Sequence, residues 1–121
     1  GGGGVDVHSK RGETALHLAA LSGRVESVRV LVAGGASVGS RTETGYTPLH
    51  YACIHGNLEC VRELLELGGN VHEKGGVRGA TPLHVAATNG RIECVRELLQ
   101  RGGRINEKNE DGETPLHFAA L

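Results

Sequence analysis

Seven histidines and three cysteines are the residues of this 121-residue chain that could hold a metal, supply a nucleophile or move a proton. Four of the histidines close a recurring tetrad: Thr14-Ala15-Leu16-His17, Thr47-Pro48-Leu49-His50, Thr81-Pro82-Leu83-His84 and Thr114-Pro115-Leu116-His117. Steps of 33, 34 and 33 residues hold them too far apart to read as one compact ligand set. A histidine in each of four units is explained more economically by repeated architecture than by four active sites.

Cys53, His55 and Cys60 form the one local cluster of thiol and imidazole, the groups zinc takes as ligands. Their spacing fits no finger. Cys53 falls on the inward stripe of a first helix, His55 near its end and Cys60 on the next helix, so buried thiols acting as small apolar groups are expected instead. Gly34-Gly35-Ala36-Ser37-Val38-Gly39-Ser40 spaces two glycines as a phosphate loop does, but lacks the lysine after the second. Gly75-Gly76-Val77-Arg78-Gly79 reads as a flexible turn of the repeat. No nucleophile, base and orienter stand together, so the chain is expected to be no enzyme and to need no metal or cofactor.

These residues are positioned by a repeat. Gly12, Gly45, Gly79 and Gly112 each stand two places before the threonine, and Gly23, Gly56 and Gly90 nine places after it. Val25-Glu26-Ser27-Val28, Leu58-Glu59-Cys60-Val61 and Ile92-Glu93-Cys94-Val95 then recur, followed by leucines and by Gly35, Gly68 or Gly102. A fixed step of this length is the mark of a solenoid, whose units bury their apolar faces only by stacking.

From about Val5 to Leu121 the chain resembles the ankyrin-repeat family, whose unit is a turn and two helices marked by T-P-L-H-x-A. The departures are Ala15 in place of the proline, Cys53 where alanine is usual, and one extra residue within Gly75-Gly76-Val77-Arg78. The resemblance implies an all-α ankyrin-repeat solenoid of stacked helix-turn-helix units joined by β-hairpin-like loops. Its expected divisions are the tail of a preceding repeat (1–7), three repeats (8–40, 41–73, 74–107) and the first half of a fourth (108–121), a piece of a longer array.

Within a unit, threonine caps the first helix and proline suits its first position, so first helices are expected to start at Thr14, Thr47, Thr81 and Thr114. Second helices are expected from about Val25, Leu58 and Ile92 to about Ala33, Leu67 and Arg101, with Val61, Leu64 and Leu65 as a buried stripe. Their opposite face is charged. Arg62 with Glu66, and Glu93 with Arg96 or Glu97, have spacings that interact along one exposed helix, each contributing about 0.2 to 0.5 kcal/mol.

Composition removes other classes. Thirteen basic and fourteen acidic side chains leave a formal charge of -1, no global field for nucleic acid or an anionic membrane. Two tyrosines, one phenylalanine and no tryptophan provide no stacking platform for single strands. No apolar run reaches membrane-spanning length, and glycines stand where a signal peptide would be basic and apolar, so a soluble protein is expected. Three cysteines cannot all pair internally, and Cys60 and Cys94 hold equivalent positions, which points to a reducing, intracellular compartment.

The resemblance implies a protein-protein interaction module that is monomeric alone and contacts a partner through its hairpin tips and the concave side of its first helices. By register these are Lys10, Arg11, Glu13, Leu21 and Ser22, then Arg41, Glu43, Thr44, Tyr46, Ile54 and His55. Val77, Arg78, Ala80, Thr88 and Asn89 follow, then Lys108, Glu110, Asp111, Glu113 and Leu121. Leu21, Tyr46 and Ile54 are the expected centre, unless Leu21 and Ile54 pack between units. The motif histidines and their threonines are expected to hold a structural network. Asn106, eight residues after Leu98, resembles the pattern at which asparaginyl hydroxylase acts on such repeats; a hydrogen bond across its own turn is the alternative. A second expectation is that the array regulates or recruits for an enzyme, channel or transcription regulator in a larger chain.

Overall fold

The computed structural model describes residues 11–76, 78–105 and 108–114, and they form six helices. In chain order these are α1 (Ala15–Leu21), α2 (Val25–Ala33), α3 (Pro48–His55), α4 (Leu58–Glu66), α5 (Pro82–Thr88) and α6 (Ile92–Gln100). Odd helices pack on odd and even on even, α1 with α3 and α3 with α5, α2 with α4 and α4 with α6, while each odd helix packs on the even helix that follows it. The result is a two-layer, all-α solenoid. The second and third even helices end at Glu66 and Gln100, with Leu67 and Arg101 as their caps, one place before the sequence expectation.

Small residues set the spacing of the odd row. Ala19 and Ala20 on α1, Ala52 and Cys53 on α3, and Ala86 and Ala87 on α5 are all buried, so the helices approach without bulky side chains between them. Leu16, Leu49 and Leu83 repeat one core position, and Val28, Leu64 and Leu98 fill the even row. Every unit therefore leans on its neighbour for part of its core.

The residues that precede the even helices, Asn57 and Arg91, make no side-chain cap on their own helices. They reach backward instead. Asn57 Nδ2 donates to the carbonyls of Ala20 (2.8 Å) and Leu21 (3.0 Å) at the end of α1, and Arg91 Nε donates to Ile54 O at the end of α3 (3.1 Å). Helix C-termini leave carbonyls without helical partners, and a donor from the next unit satisfies them.

The connecting tips contain no regular strand among the described residues, only an isolated antiparallel bridge between Gly75 and Ala80. Each closes on itself nevertheless: Thr42 N–H donates to Tyr46 O (2.9 Å), Gly75 to Ala80 (2.8 Å) and Asn109 to Glu113 (2.8 Å). The middle tip spans one residue more, which is where the 34-residue step arises. Successive tips are also joined, by Glu43 N–H to Arg11 O (3.0 Å), Gly76 to Thr44 (2.7 Å) and Glu110 to Arg78 (2.7 Å).

Gly56 (φ 73°) and Gly90 (φ 67°) follow α3 and α5 in the left-handed region, but their surroundings differ. A Cβ on Gly56 would stand 2.8 Å from Arg91 Cδ, whereas one on Gly90 would meet nothing within 4 Å. Gly90→Ala is therefore expected to cost about 1 to 2 kcal/mol of backbone strain. Gly56→Ala adds about 1 kcal/mol as Arg91 leaves Ile54 O. Urea unfolding checks this; equal costs at the two sites would show that the Arg91 bond contributes nothing.

Candidate functional site

The motif side chains form a structural network that crosses every described junction. Thr14, Thr47 and Thr81 are helix caps in extended conformation, and each exchanges hydrogen bonds with the histidine three places on. In the second unit Thr47 N–H donates to His50 Nδ1 (3.1 Å), and the Thr47 hydroxyl lies 2.8 Å from the same nitrogen. Because Nδ1 accepts from the backbone, the proton of the neutral ring belongs on Nε2. That nitrogen donates to the next tip: His17 to Tyr46 O (2.8 Å), His50 to Ala80 O (2.9 Å) and His84 to Glu113 O (2.8 Å). All three rings are buried, and both of their nitrogens are engaged, so none is placed to act as a base toward a substrate. Thr114 lies at the start of the last tetrad; His117 is outside the described residues.

The three cysteines are free and buried. Burial pushes the Cys53 thiol well above its ordinary pKa and raises those of Cys60 and Cys94, the reverse of what a nucleophile or metal ligand needs. Cys53 and Cys60 lie on consecutive helices while His55 is exposed at the end of α3, and among the described residues no three His, Cys, Asp or Glu converge on a metal site.

On the side formed by the tips and the odd helices lies an open groove of about 850 Å³. Of the residues named from sequence it is lined by Arg11, Glu13, Leu21, Glu43, Thr44, Tyr46, Ile54, Arg78, Ala80, Thr88 and Asn89. Ser22, His55 and Arg41 are exposed beside it, and Lys108, Glu110, Asp111 and Glu113 belong to the last tip rather than to its walls. Lys10, Val77, Leu121 and Asn106 lie outside the described residues. Leu21, Tyr46 and Ile54 do both things considered for them: they pack against the core, half-buried, and line the groove.

Thr42, Tyr51, Val85 and Asn109 also line it without having been expected from the sequence, and two of them, Tyr51 and Val85, lie on the odd helices. These two share one register with Leu18, which is 44% exposed, and an apolar residue recurring at that position of each odd helix was the signal for them. Tyr51 packs edge-on to His17 and donates its hydroxyl to Glu13 Oε2 at 2.6 Å. Burial, and then that bond, push the phenol's pKa up, so the ring stays neutral. Tyr46 packs edge-on to His50, and its hydroxyl lies beneath the enlarged third tip, where a Cβ on Gly76 would stand 2.5 Å from it.

Tip charges are largely spent on one another. Arg41 pairs with Glu73 and donates to Lys74 O (2.9 Å); Arg78 lies 3.3 Å from Asp111 and 4.0 Å from Glu113. On the opposite face ion pairs run both along single helices, Arg62 with Glu59 and Arg101 with Glu97, and between units, and the partners differ from those expected. Arg29 bonds Glu63 (2.7 Å) and Arg62 bonds Glu97 (3.0 Å), while Glu66, expected to pair with Arg62, instead faces Arg101 (3.6 Å). Hydrogen bonds from Arg62 and Arg101 hold the Glu97 carboxyl below its usual pKa. No helix among the described residues is long and apolar enough to cross a membrane.

The family model of ankyrin repeats, in three copies, matches residues 1–74 and 67–121. No curated protein matches the chain.

The His50 geometry has a pH consequence. Burial, which penalises the charged ring, lowers its pKa from 6.5 to about 4, and a second ring proton on Nδ1 would in addition displace the bond from Thr47 N–H. The folded state thus favours the neutral ring, while the unfolded chain takes up a proton near its ordinary value. This contribution is full above pH 6.5 and is lost as pH falls toward 4, a total of about 3 kcal/mol from this one group. Denaturant midpoints measured from pH 7 to 4.5 should fall steadily, and less steeply in His50→Gln; a flat profile for the unsubstituted protein would contradict the assignment.

Proposed function

The chain belongs to the ankyrin-repeat family, whose arrays generally serve as protein-protein interaction modules, and we propose that it grips a protein partner in its tip-and-odd-helix groove without transforming it. One observation carries this reading: the groove gathers half-buried apolar side chains, Leu21, Tyr46, Ile54 and Val85, on an open face. Interfaces are anchored where aliphatic and aromatic groups sit inside a polar rim, and here Glu43, Thr44, Thr88 and Asn89 supply the rim. The groove is open rather than enclosed, which suits an extended segment or a helix edge better than a small metabolite that must be buried on most sides.

The opposite face supports the same choice by contrast. Its arginines and glutamates are joined across units, so a partner there would have to break existing ion pairs before making new ones. Chemistry is disfavoured by the spent histidines and the protonated, buried thiols, and family members of this kind are typically non-catalytic. Three free thiols are also the reason we place the protein in a reducing, intracellular compartment.

Thr88 is exposed on the groove wall, so Thr88→Arg fills the groove without touching the core. Quantitative capture of binding proteins from cells should show the specific set depleted by roughly tenfold or more with Thr88→Arg and with Ile54→Asp. Arg96→Ala, on the exposed side of α6, should leave the set unchanged. If the groove variants retain every bound protein, or Arg96→Ala removes them, the groove is not the docking face.

A further inference from the structure

We propose that the tyrosine-lined end of the groove receives a cationic side chain, lysine or arginine, from an extended segment of the partner polypeptide, with Glu43 as its counter-charge. The inference rests on the groove being the docking face and specifies what enters it. The chain has two tyrosines, and both line this one groove, their ring centroids 6.4 Å apart and their planes inclined by 58°. A phenol ring carries negative charge on its face and attracts a cation within about 6 Å of its centre. Tyr51 donates a hydrogen bond from its hydroxyl to Glu13 at 2.6 Å, which enriches the ring in electron density and sets a carboxylate beside it.

The charge account singles out Glu43. Glu73 is taken by Arg41, Asp111 and Glu113 by Arg78, and Glu26, Glu59, Glu63, Glu66 and Glu97 by Arg29, Arg62 and Arg101, while Glu93 and Glu110 lie off the groove. The exposed Glu43 carboxylate lines the groove and pairs with no described side chain. Its backbone is already fixed, since Glu43 N–H donates to Arg11 O at 3.0 Å across the junction of the first two tips. Only its side chain therefore has to be ordered when the ligand arrives. Of the two cations on the groove wall, Arg78 is committed to the last tip and Arg11 stands at the first. An acidic side chain entering between them would meet Glu13 and Glu43. An aliphatic one would strip water from both carboxylates without replacing it.

The probes are four degenerate pools of peptides of about ten residues, apolar and glycine-rich at the flanks, with the central position fixed as Arg, Lys, Gln or Glu. Binding to the full chain is read by fluorescence anisotropy. The Arg and Lys pools should bind on the order of tenfold more tightly than the Gln pool, and the Glu pool most weakly. Glu43→Gln should remove most of that preference, bringing the Arg and Lys pools down toward the Gln pool, and Glu43→Lys should reverse it. Equal binding of all pools, a preference for Glu, a preference that survives Glu43→Gln, or no binding at all would each overturn the proposal. Equal binding that Thr88→Arg still abolishes would sink the cation site alone and keep the groove as docking face. Binding that Thr88→Arg leaves intact would sink both.

Discussion

Everything in this solenoid depends on a histidine ring that does two jobs at once. Its Nδ1 completes the cap of its own helix by accepting from the threonine backbone, and its Nε2 donates to a carbonyl in the next tip, 2.8 to 2.9 Å away in the described units. An unpaired backbone group at a buried helix start would cost roughly as much as a lost hydrogen bond, so one neutral imidazole settles both the local helix and its junction. The same arrangement explains why a histidine recurs at one position of successive units. Among the described residues no buried side-chain nitrogen or oxygen lacks a partner.

Three bonding systems run along the stack in parallel. The histidines reach forward from each unit to the following tip, the tips join one another through backbone bonds, and Asn57 and Arg91 reach back to the preceding helix ends. The inter-unit ion pairs of the even row form a fourth, weaker system, since partly exposed charges gain little from pairing. Together these hold the odd helices at a fixed spacing, and that spacing gives the groove its width. Rigidity of the walls is what allows half-buried side chains such as Ile54 to serve the core and the surface together.

Much of this was legible in the sequence, and the reason is local. Threonine, proline and histidine at successive cap positions and glycines with positive φ act within a few residues, so the helix starts, their ends and the buried stripes could be read unit by unit. The extra residue of the third tip was equally plain from the 34-residue step. What could not be read is whatever joins residues more than a unit apart. Arg62 has Glu66 one turn along its own helix, yet it bonds Glu97, 35 positions later, because the even helices lie side by side. Tyr51 sits inside the motif, where it reads as filler between His50 and Ala52; the packing of α3 on α1 is what brings its hydroxyl to Glu13, 38 positions earlier.

The backward-reaching Asn57 and forward-reaching His50 also give the array a direction in time. A unit that opens at the downstream side withdraws the donors that seal the helix ends behind it and the carbonyl that anchors the ring before it, so its neighbour is weakened twice by one event. A bubble opened in the middle must break such contacts on two flanks, whereas fraying at an extremity breaks one set. Opening of one unit therefore weakens its neighbours before it reaches distant ones, and the groove, built across several units, loses its shape as its own units open.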